Sequence, residues 1–441
     1  MVIAGLTRQS IEKQDPAHEA GFFNQHPPSS SRCFRISAAD HAPSCCNGER
    51  SRIAKVDVAS QYLSGAPQVI VHAERMVSMS RLQQLTPTGR THAANNLHTF
   101  KAHPYLTGAG AAVGLLALSA LINAQLARRA ERANPPAGRF IEIDGTRLHY
   151  VERGKGKPLL LLHGSGTMIQ DFESSGLIDL AAQNYRVIAF DRPGYGHSER
   201  PRITVWTPEA QADLLRNALN QLGVPRAIVL GHSWGASVAV ALALKYPALV
   251  SGLVLASGYY YPSARADVVA LSAPAIPVIG DIVRYAISPI VSRLMWPLML
   301  RKLFGPASVP RKFGSFPKEM TFRPSQIRAS AAEFALMIPD AYAGRAHYKD
   351  LKMPVVIIAG DEDRLIDVDD QSAQLHRDIP QSVFHRIPGA GHMIHQTATE
   401  DVMAAIDVAA GAQTEDNSGP RHASSPRTSR TSAAQRTAGA G

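Results

Sequence analysis

The sequence has few cysteines, and none of them lies beyond position 46 of its 441 residues. Cys33, Cys45 and Cys46 all fall in the first 50 residues. The rest of the chain therefore has no disulfide framework and no cysteine-based metal site. Its length suits one large domain or two ordinary ones.

The net charge of +10 is not spread over a basic surface. Residues 139–411 carry 28 Lys and Arg against 26 Asp and Glu, a balance of +2, so the other +8 lies in residues 1–138 and 412–441. A basic excess confined to the ends provides no nucleic-acid-binding face, and we predict no nucleic-acid partner.

The first 100 residues lack hydrophobic periodicity. They are rich in Ser, His, Gln, Ala and Pro, a composition typical of a disordered region. Met76 and Met79 are alternative start sites, in which case most of residues 1–100 is not translated. Residues 412–441 turn to Ser, Arg, Gly and Thr and are predicted to be a disordered tail.

Charge is also missing from Ala102 to Ala127. Residues 105–127 exceed the ~20 residues that cross a bilayer core, so we predict a membrane-anchor helix with membrane lipid as its partner. A signal peptide and a packing helix are the alternatives, because several glycines and Asn123 weaken the hydrophobicity. Positive charge is denser on the C-terminal flank, from Arg128 onwards, which favours a cytoplasmic catalytic domain.

Short apolar segments alternate with helical patterns over residues 139–411. Asp144-Gly145 joins two alternating segments and predicts a hairpin. Further predicted strands are Pro158–Leu162, Arg186–Phe190, Ala227–Leu230, Gly252–Ala256, Pro354–Ala359 and Val383–Ile387. Predicted helices are Pro208–Leu222, Trp234–Tyr246, Gln371–Arg377 and Glu400–Ala409. This βαβα order predicts an α/β fold, with a doubly wound, mostly parallel sheet behind an antiparallel start.

One long interval interrupts the alternation between Ser257 and Lys352. It is helical in character and punctuated by prolines, and we predict a helical cap at about residues 262–345 over the C-terminal edge of the sheet, where ligands bind. We expect Trp296 and the Leu and Met residues around it to form the cap core. A membrane-associated patch at Ile279–Phe304 is the alternative interpretation, and the two are compatible.

The segment GHSWG at residues 231–235 lies between a predicted strand and a predicted helix. A serine at such a turn stands out of the sheet, and glycines allow the two backbones to approach. Ser233 can be a nucleophile if a base takes its proton and an acid orients that base. Asp361 and Asp363 follow a later strand, and His392 follows the last one. The order Ser, Asp, His predicts a catalytic triad at one edge of the sheet.

The segment LLLLHGSGTM follows the first parallel strand. His163-Gly164 turns the chain sharply, so that one backbone N–H points into the site. The N–H of Trp234 is the second expected donor. Two fixed donors would form an oxyanion hole for a tetrahedral intermediate.

Together these segments resemble the α/β-hydrolase superfamily, in the branch of capped esterases, cofactor-free haloperoxidase-like enzymes, carbon–carbon bond hydrolases and epoxide hydrolases. The matching segments are LLHGSG, AFDRPGYGHSERP, LGHSWGAS, GDEDRLID and GAGHMIHQ. The resemblance implies Ser233 as nucleophile, His392 as base and Asp363 as acid. Asp363 is favoured over Asp361 because the family's acid usually stands three residues after the glycine.

The resemblance also implies the amides of Ser165 and Trp234 as the oxyanion hole. Gly166 stands where the family often has proline, which leaves open whether Ser165 or Gly166 donates. Tyr259 and Gly164 are expected to contact substrate.

Serine at position 233 excludes the aspartate-nucleophile chemistry of dehalogenases and most epoxide hydrolases. Serine suits acyl transfer, and we expect hydrolysis of a carboxylic ester of a small apolar acyl substrate. Carbon–carbon cleavage, perhydrolase chemistry and a non-catalytic ligand receptor remain alternatives. We predict no cofactor and no metal site, because the triad explains the His and Asp residues better.

Several polar residues near the motifs are predicted to be structural. His395 is an alternative base, but the flanking glycines favour His392. Asp361 is expected to be a cap or surface charge. The others expected to be structural are His163, His232 and the turn Asp191–Ser198.

Overall fold

The computed structural model describes residues 104–411. The predicted disordered region 1–100, with both alternative start sites, and the predicted tail 412–441 lie outside these described residues.

The described residues form one eight-stranded sheet in the order β1-β2-β4-β3-β5-β6-β7-β8. The strands are β1 Arg139–Ile143, β2 Thr146–Arg153, β3 Lys157–Leu162, β4 Tyr185–Phe190, β5 Ala227–His232, β6 Val250–Ala256, β7 Val355–Gly360 and β8 Val383–Ile387. β2 pairs antiparallel with β1 and with β4, and the pairs from β4 to β8 are parallel. The predicted mostly parallel sheet with an antiparallel start is confirmed.

Helices flank the sheet and follow most of its strands. They are α1 Pro104–Ala133, α2 Ile169–Ser175, α3 Leu177–Ala181, α4 Pro208–Gln221, α5 Trp234–Lys245, α6 Ala266–Ser272, α7 Ile279–Ile282, α8 Ser288–Phe304, α9 Lys318–Thr321, α10 Pro324–Gly344, α11 Gln374–Asp378, α12 Ile394–Thr397 and α13 Thr399–Ala409. Thr207 caps α4, where its hydroxyl accepts a hydrogen bond from the Ala210 N–H at 3.2 Å. In the β1–β2 hairpin, Asp144 and Gly145 both have positive φ, as a type I′ turn requires.

Apolar clusters lie on both faces of the sheet. Leu160 and Leu162 of β3 pack on the side of α4 and α5. Leu159 and Leu161 pack on the side of α2, α3 and α13. Because successive strand residues point to opposite faces, a strand covered on both sides needs the unbroken apolar run that β3 has.

The connection from β6 to β7 is the predicted helical insertion, and it contains α6 to α10. Trp296 packs edge-on against Phe322, with ring centroids 5.4 Å apart. The prediction that its Leu and Met neighbours form cap core is wrong for Leu294 and Leu298, which are 74% and 57% exposed. Those two side chains are four residues apart, so they share a face of α8, and this face points away from the protein. Leu300 and Leu303 do pack against a buried aromatic cluster.

The segment Thr107–Ala133 of α1 is long and apolar enough to cross a membrane, by length and composition. The bent pair Ala266–Ala275 and Ile279–Phe304 meets the same criterion, with a 92° bend between its two parts.

Candidate active site

Ser233 lies at the turn between β5 and α5 with φ 53° and ψ −122°. A non-glycine residue rarely adopts this conformation, and here the turn imposes it. A Cβ on Gly231 would lie 2.3 Å from the Gly235 carbonyl oxygen, and one on Gly235 would lie 2.2 Å from the Leu162 carbonyl oxygen. Only glycine fits at both positions, as expected from the sequence.

Asp363 and His392 meet at the carboxyl edge of the sheet, although 29 residues separate them. His392 Nδ1 lies 2.7 Å from Asp363 Oδ2, and both side chains are buried. The other carboxylate oxygen, Oδ1, accepts hydrogen bonds from the N–H groups of Leu365 and Ile366 at 2.8 and 3.0 Å. Since a carboxylate accepts, Nδ1 of His392 carries a proton and Nε2 has the free lone pair.

His392 is also tied to the turn that carries Ser233. His232 Nε2 donates to the His392 carbonyl oxygen at 3.1 Å, and the two rings lie 5.1 Å apart. Within the described residues, the Ser233 hydroxyl has no hydrogen-bond partner, so the structure brings His392 to the turn without a Ser233–His392 hydrogen bond. Catalytic hydrogen bonds of this kind often tighten only when substrate binds.

The loop after β3 lies directly against Ser233. A Cβ on Gly164 would lie 3.1 Å from both Ser233 Cβ and His232 Nδ1. Among the described residues, the backbone N–H groups of Ser165 and Trp234 donate to no protein acceptor, which leaves both available to a ligand. Gly166 has φ +76°, so this loop also needs glycine two residues further on.

His163 holds this loop in place. It accepts a hydrogen bond at Nε2 from the Arg192 N–H at 3.0 Å and lies 2.8 Å from the Gly164 carbonyl oxygen through Nδ1. Burial, followed by the charge of Arg192, lowers the pKa of His163 to about 4. His163 is therefore neutral at pH 7, with its proton on Nδ1.

A buried ion pair joins the same loop to the cap, and sequence analysis missed it. The Arg192 guanidinium pairs with Glu333 of α10 through two nitrogens, one of them 3.1 Å from Oε2. Arg192 Nε donates to the His163 carbonyl oxygen at 2.8 Å. Tyr195 donates to Glu333 Oε2 at 2.6 Å and lies 3.1 Å from Ser165 Oγ. The turn Asp191–Ser198, predicted to be structural, thus connects cap and sheet.

A further group of ionisable side chains lies behind the Ser233 turn. Asp171, His232 and His395 are buried, and each offers a ligand-type atom within 4.8 Å of the others. His395 Nε2 lies 3.0 Å from Asp171 Oδ1. Burial alone would raise the pKa of Asp171, but His395 and its other partners lower it to about 2. These residue types can bind metals. Their separation along the chain concealed the group from sequence analysis, which predicted no metal site.

The remaining predicted site residues lie at the periphery. Tyr259 is buried and lines a cavity of about 270 Å³ together with Arg265 and Asp363. Ser233 is not part of that lining. Asp361 is exposed and pairs with Arg386 at 2.6 Å, whereas Asp363 faces His392.

A family model for the alpha/beta hydrolase fold matches residues 157–399, more than half of the chain. Haloalkane dehalogenase 2 of Mycobacterium tuberculosis is 26% identical over 285 residues, covering 62% of this chain and 94% of that protein. A 2-hydroxy-6-oxononadienedioate/2-hydroxy-6-oxononatrienedioate hydrolase of Paraburkholderia phymatum is 29% identical over 259 residues, covering 56% and 84%. Among solved structures, a thermophilic esterase from Thermogutta terrifontis has a TM-score of 0.52 at 25% identity, covering 62% of this chain and 97% of its own.

Proposed function

Because the chain belongs to the α/β-hydrolase family and is a hydrolase, we propose that it cleaves an acyl bond, a carboxylic ester of an apolar substrate, through an acyl-enzyme. Ser233 attacks the acyl carbonyl, His392 takes the serine proton, and Asp363 orients His392. The protonated His392 then gives that proton to the departing alcohol oxygen and is again a neutral base. It takes a proton from a water molecule that attacks the acyl-enzyme carbonyl, and it returns this proton to the Ser233 oxygen as the acid leaves.

The 2.7 Å contact between His392 Nδ1 and Asp363 Oδ2 carries this proposal. It fixes the imidazole as the tautomer whose Nε2 can accept a proton, which is the form that a general base needs. The strained turn at Ser233 and the hydrogen bond from His232 to the His392 carbonyl oxygen support the same arrangement.

The oxyanion of the tetrahedral intermediate is assigned to the N–H groups of Ser165 and Trp234. Trp234 is the first residue of α5, where N–H groups have no intrahelical partner. Gly164 leaves room for the acyl group beside Ser233, because a side chain there would touch the serine. Removing one such donor typically costs ~10²–10³ in rate.

The serine nucleophile favours acyl transfer, to which ester hydrolysis belongs, over dehalogenation. The relative from Mycobacterium tuberculosis is named a dehalogenase, but an aspartate nucleophile is needed for that reaction and position 233 is serine. The relative from Paraburkholderia phymatum supports carbon–carbon hydrolysis as the second candidate, since this reaction also uses a serine triad.

The proposal places the protein at a membrane, with α1 as its anchor and the catalytic domain on the cytoplasmic side. The apolar segment Thr107–Ala133 and the arginines near the end of α1 support this location. Cell fractionation with and without residues 105–127, on membranes washed with alkaline carbonate to remove proteins that do not span the bilayer, tests it. An unchanged membrane fraction after the deletion would contradict an anchor role.

Labelling with a fluorophosphonate probe tests the nucleophile. The wild-type protein should be labelled at Ser233, and Ser233→Ala should abolish the labelling. Ser165→Ala is the matched control, because it removes a hydroxyl but keeps the backbone N–H of the oxyanion hole, and it should still be labelled. Labelling of Ser233→Ala at another serine would overturn the assignment.

Turnover of a short p-nitrophenyl ester separates an enzyme from a non-catalytic receptor on the same fold. Hydrolysis above the rate of Ser233→Ala supports an esterase. Equal rates for the two proteins, both on this ester and on a panel of other acyl substrates, would contradict an esterase.

A further inference from the structure

The cap exposes an unusually large apolar surface. Fourteen large apolar side chains between Val269 and Met299 are exposed, α1 exposes seven more, and the rest of the described chain exposes five. We call these fourteen the cap apolar surface: Val269, Leu271, Ile276, Val278, Ile279, Ile282, Tyr285, Ile287, Ile290, Val291, Leu294, Met295, Leu298 and Met299. Exposed apolar side chains scattered singly are ordinary, but a concentration of this kind marks an interaction site.

Charge is nearly absent from this part of the cap, and what is present is paired. Between Val268 and Leu300 the charged residues are Asp281, Arg284 and Arg293. Arg284 pairs with Asp281, and Arg293 pairs with Glu319 at 3.1 Å. Asp281 also lies 3.5 Å from the exposed Arg202, so each of these few charges has an oppositely charged partner, which lowers the cost of removing it from water.

Two polar side chains of α1, Ser119 and Asn123, face the cap and are satisfied there, whereas Gln125 is exposed. Ser119 Oγ donates to the Ala286 carbonyl oxygen at 2.5 Å, and Asn123 Nδ2 donates to the Tyr285 carbonyl oxygen at 2.9 Å. Arg293 donates to Asn123 Oδ1 at 3.1 Å. Asn123, which weakens the apolar character of the segment in the sequence, is buried against the cap. A helix in lipid needs its polar groups satisfied in this way.

The length of α1 indicates how deep in the bilayer the cap residues bonded to it would lie. The stretch from Pro104 to Leu118, before the first hydrogen bond to the cap, rises about 22 Å at 1.5 Å per residue. A bilayer core is about 30 Å thick, so the spanning part must continue past Ser119. The cap residues bonded to Ser119 and Asn123 therefore lie at the depth of the lipid boundary.

From these observations we propose that the cap apolar surface inserts into the lipid bilayer beside α1, so that the enzyme takes its acyl substrate from the membrane. The occupant is lipid rather than a second protein because the surface is continuous with the proposed spanning helix through the contacts of Ser119 and Asn123. The cavity beside Asp363 includes Arg265, four residues before Val269, so it lies next to the inserted surface. The substrate class rests on the proposed ester hydrolysis, whereas the insertion rests only on the proposed anchor α1.

Depth-dependent quenching in bilayers tests the insertion without any catalytic readout. The full chain, with its three native cysteines replaced by serine, is placed in phosphatidylcholine–phosphatidylglycerol vesicles. Leu294→Cys, Leu116→Cys and Val383→Cys are each labelled with an environment-sensitive fluorophore. Val383 is the matched control, because it is an exposed apolar side chain on β8, away from the cap.

Doxyl-labelled lipids should quench the label at position 294 to at least about half the extent that they quench the label at position 116. The reason is that interfacial segments lie ~5–10 Å deep in the bilayer boundary. The label at 383 should not respond. Quenching at 294 no greater than at 383 would overturn the insertion, and this includes the case in which a second protein chain covers the surface. Quenching at 116 alone would leave the anchor standing and remove the cap from the membrane.

A pair of substrates separates the insertion from the hydrolase assignment. The double variant Ile279→Asp/Leu294→Asp should hydrolyse a water-soluble ester at the wild-type rate. Its rate of hydrolysis of a long-chain ester held in vesicles should fall by about tenfold or more. Each lost apolar contact weakens the partitioning of the cap into the bilayer by about tenfold. Val383→Asp should change neither rate. Equal loss on both substrates would contradict the proposal, and absence of ester turnover by the wild type would sink the esterase assignment alone.

Discussion

Replacing Asp363 with asparagine should remove most of the activity while leaving the site in place. The Oδ1 position accepts two backbone hydrogen bonds, from Leu365 and Ile366, so the asparagine carbonyl must take it. The NH₂ group is then directed at His392 Nδ1, where Oδ2 now lies 2.7 Å away. Because that NH₂ only donates, Nδ1 must become the unprotonated nitrogen.

The proton of His392 then resides on Nε2, which can no longer accept the proton of Ser233. We expect kcat to fall by ~10⁴, equivalent to about 5.5 kcal/mol at ~1.4 kcal/mol per tenfold change. The assay is the initial rate of hydrolysis of a short p-nitrophenyl ester. Asp361→Asn is the control, and it should keep its rate to within about twofold, because Asp361 is exposed and contacts only the surface residue Arg386.

The melting temperature of Asp363→Asn should stay close to that of the wild type, since both backbone hydrogen bonds persist. Retention of more than about a tenth of the activity by a folded Asp363→Asn protein would refute this reasoning, because a misprotonated base cannot support that rate. The acid would then have to be another residue.

Three further predictions concern the cap, the pH dependence of stability and the loop beside the nucleophile. Glu333→Gln should lower the free energy of unfolding in urea by about 3–5 kcal/mol, because it leaves the buried charge of Arg192 unpaired, and a loss below about 1 kcal/mol would contradict a buried pair. Burial and two acidic neighbours raise the pKa of Asp340 to about 7, so the folded state loses stability as pH rises from about 4 to about 7. Asp340→Asn should therefore be more stable than the wild type at pH 8, by about 1–2 kcal/mol after allowing for solvent screening, and the difference should vanish near pH 4. An equal gain in stability at both pH values would show that the pKa of the Asp340 carboxyl is not raised in the folded protein. Gly164→Ala should lower kcat/KM by about tenfold or more, because its Cβ would lie 3.1 Å from the nucleophile's Cβ. Gly314→Ala is the control and should leave kcat/KM unchanged, because a Cβ there meets nothing within 4 Å. Equal kcat/KM for the two variants would show that the loop can move to accommodate the Cβ without loss of activity.

The fold and the position of the site could be predicted from the sequence because they follow local rules. Parallel strands end at one edge of the sheet, so side chains placed just after β5, β7 and β8 had to converge. The turn at Ser233 was recognisable because two glycines flank it at fixed spacing. The structure adds the distance between Asp363 and His392, which no local pattern contains.

The contacts made by the inserted cap could not be predicted in the same way. Arg192 and Glu333 lie 141 residues apart, and only the placement of α10 brings them together. The outward face of α8 was missed for a similar reason. Its apolar residues surround the helix, so the sequence pattern does not distinguish a buried side from an exposed one. Leu294 and Leu298 therefore looked like core.

The buried pair between Arg192 and Glu333 limits how the protein can admit and release molecules. Swinging α10 outward would strand a guanidinium and a carboxylate in an apolar interior, at a cost of several kcal/mol. We therefore expect the end of the cap that contains α10 to open less readily than the other end. Passage to Ser233 is expected at the other end, between α6 and the loop of Asp363. Among the described residues, no buried ion pair joins those two walls, and Arg265 Nη1 donates to the Leu365 carbonyl oxygen at 3.0 Å.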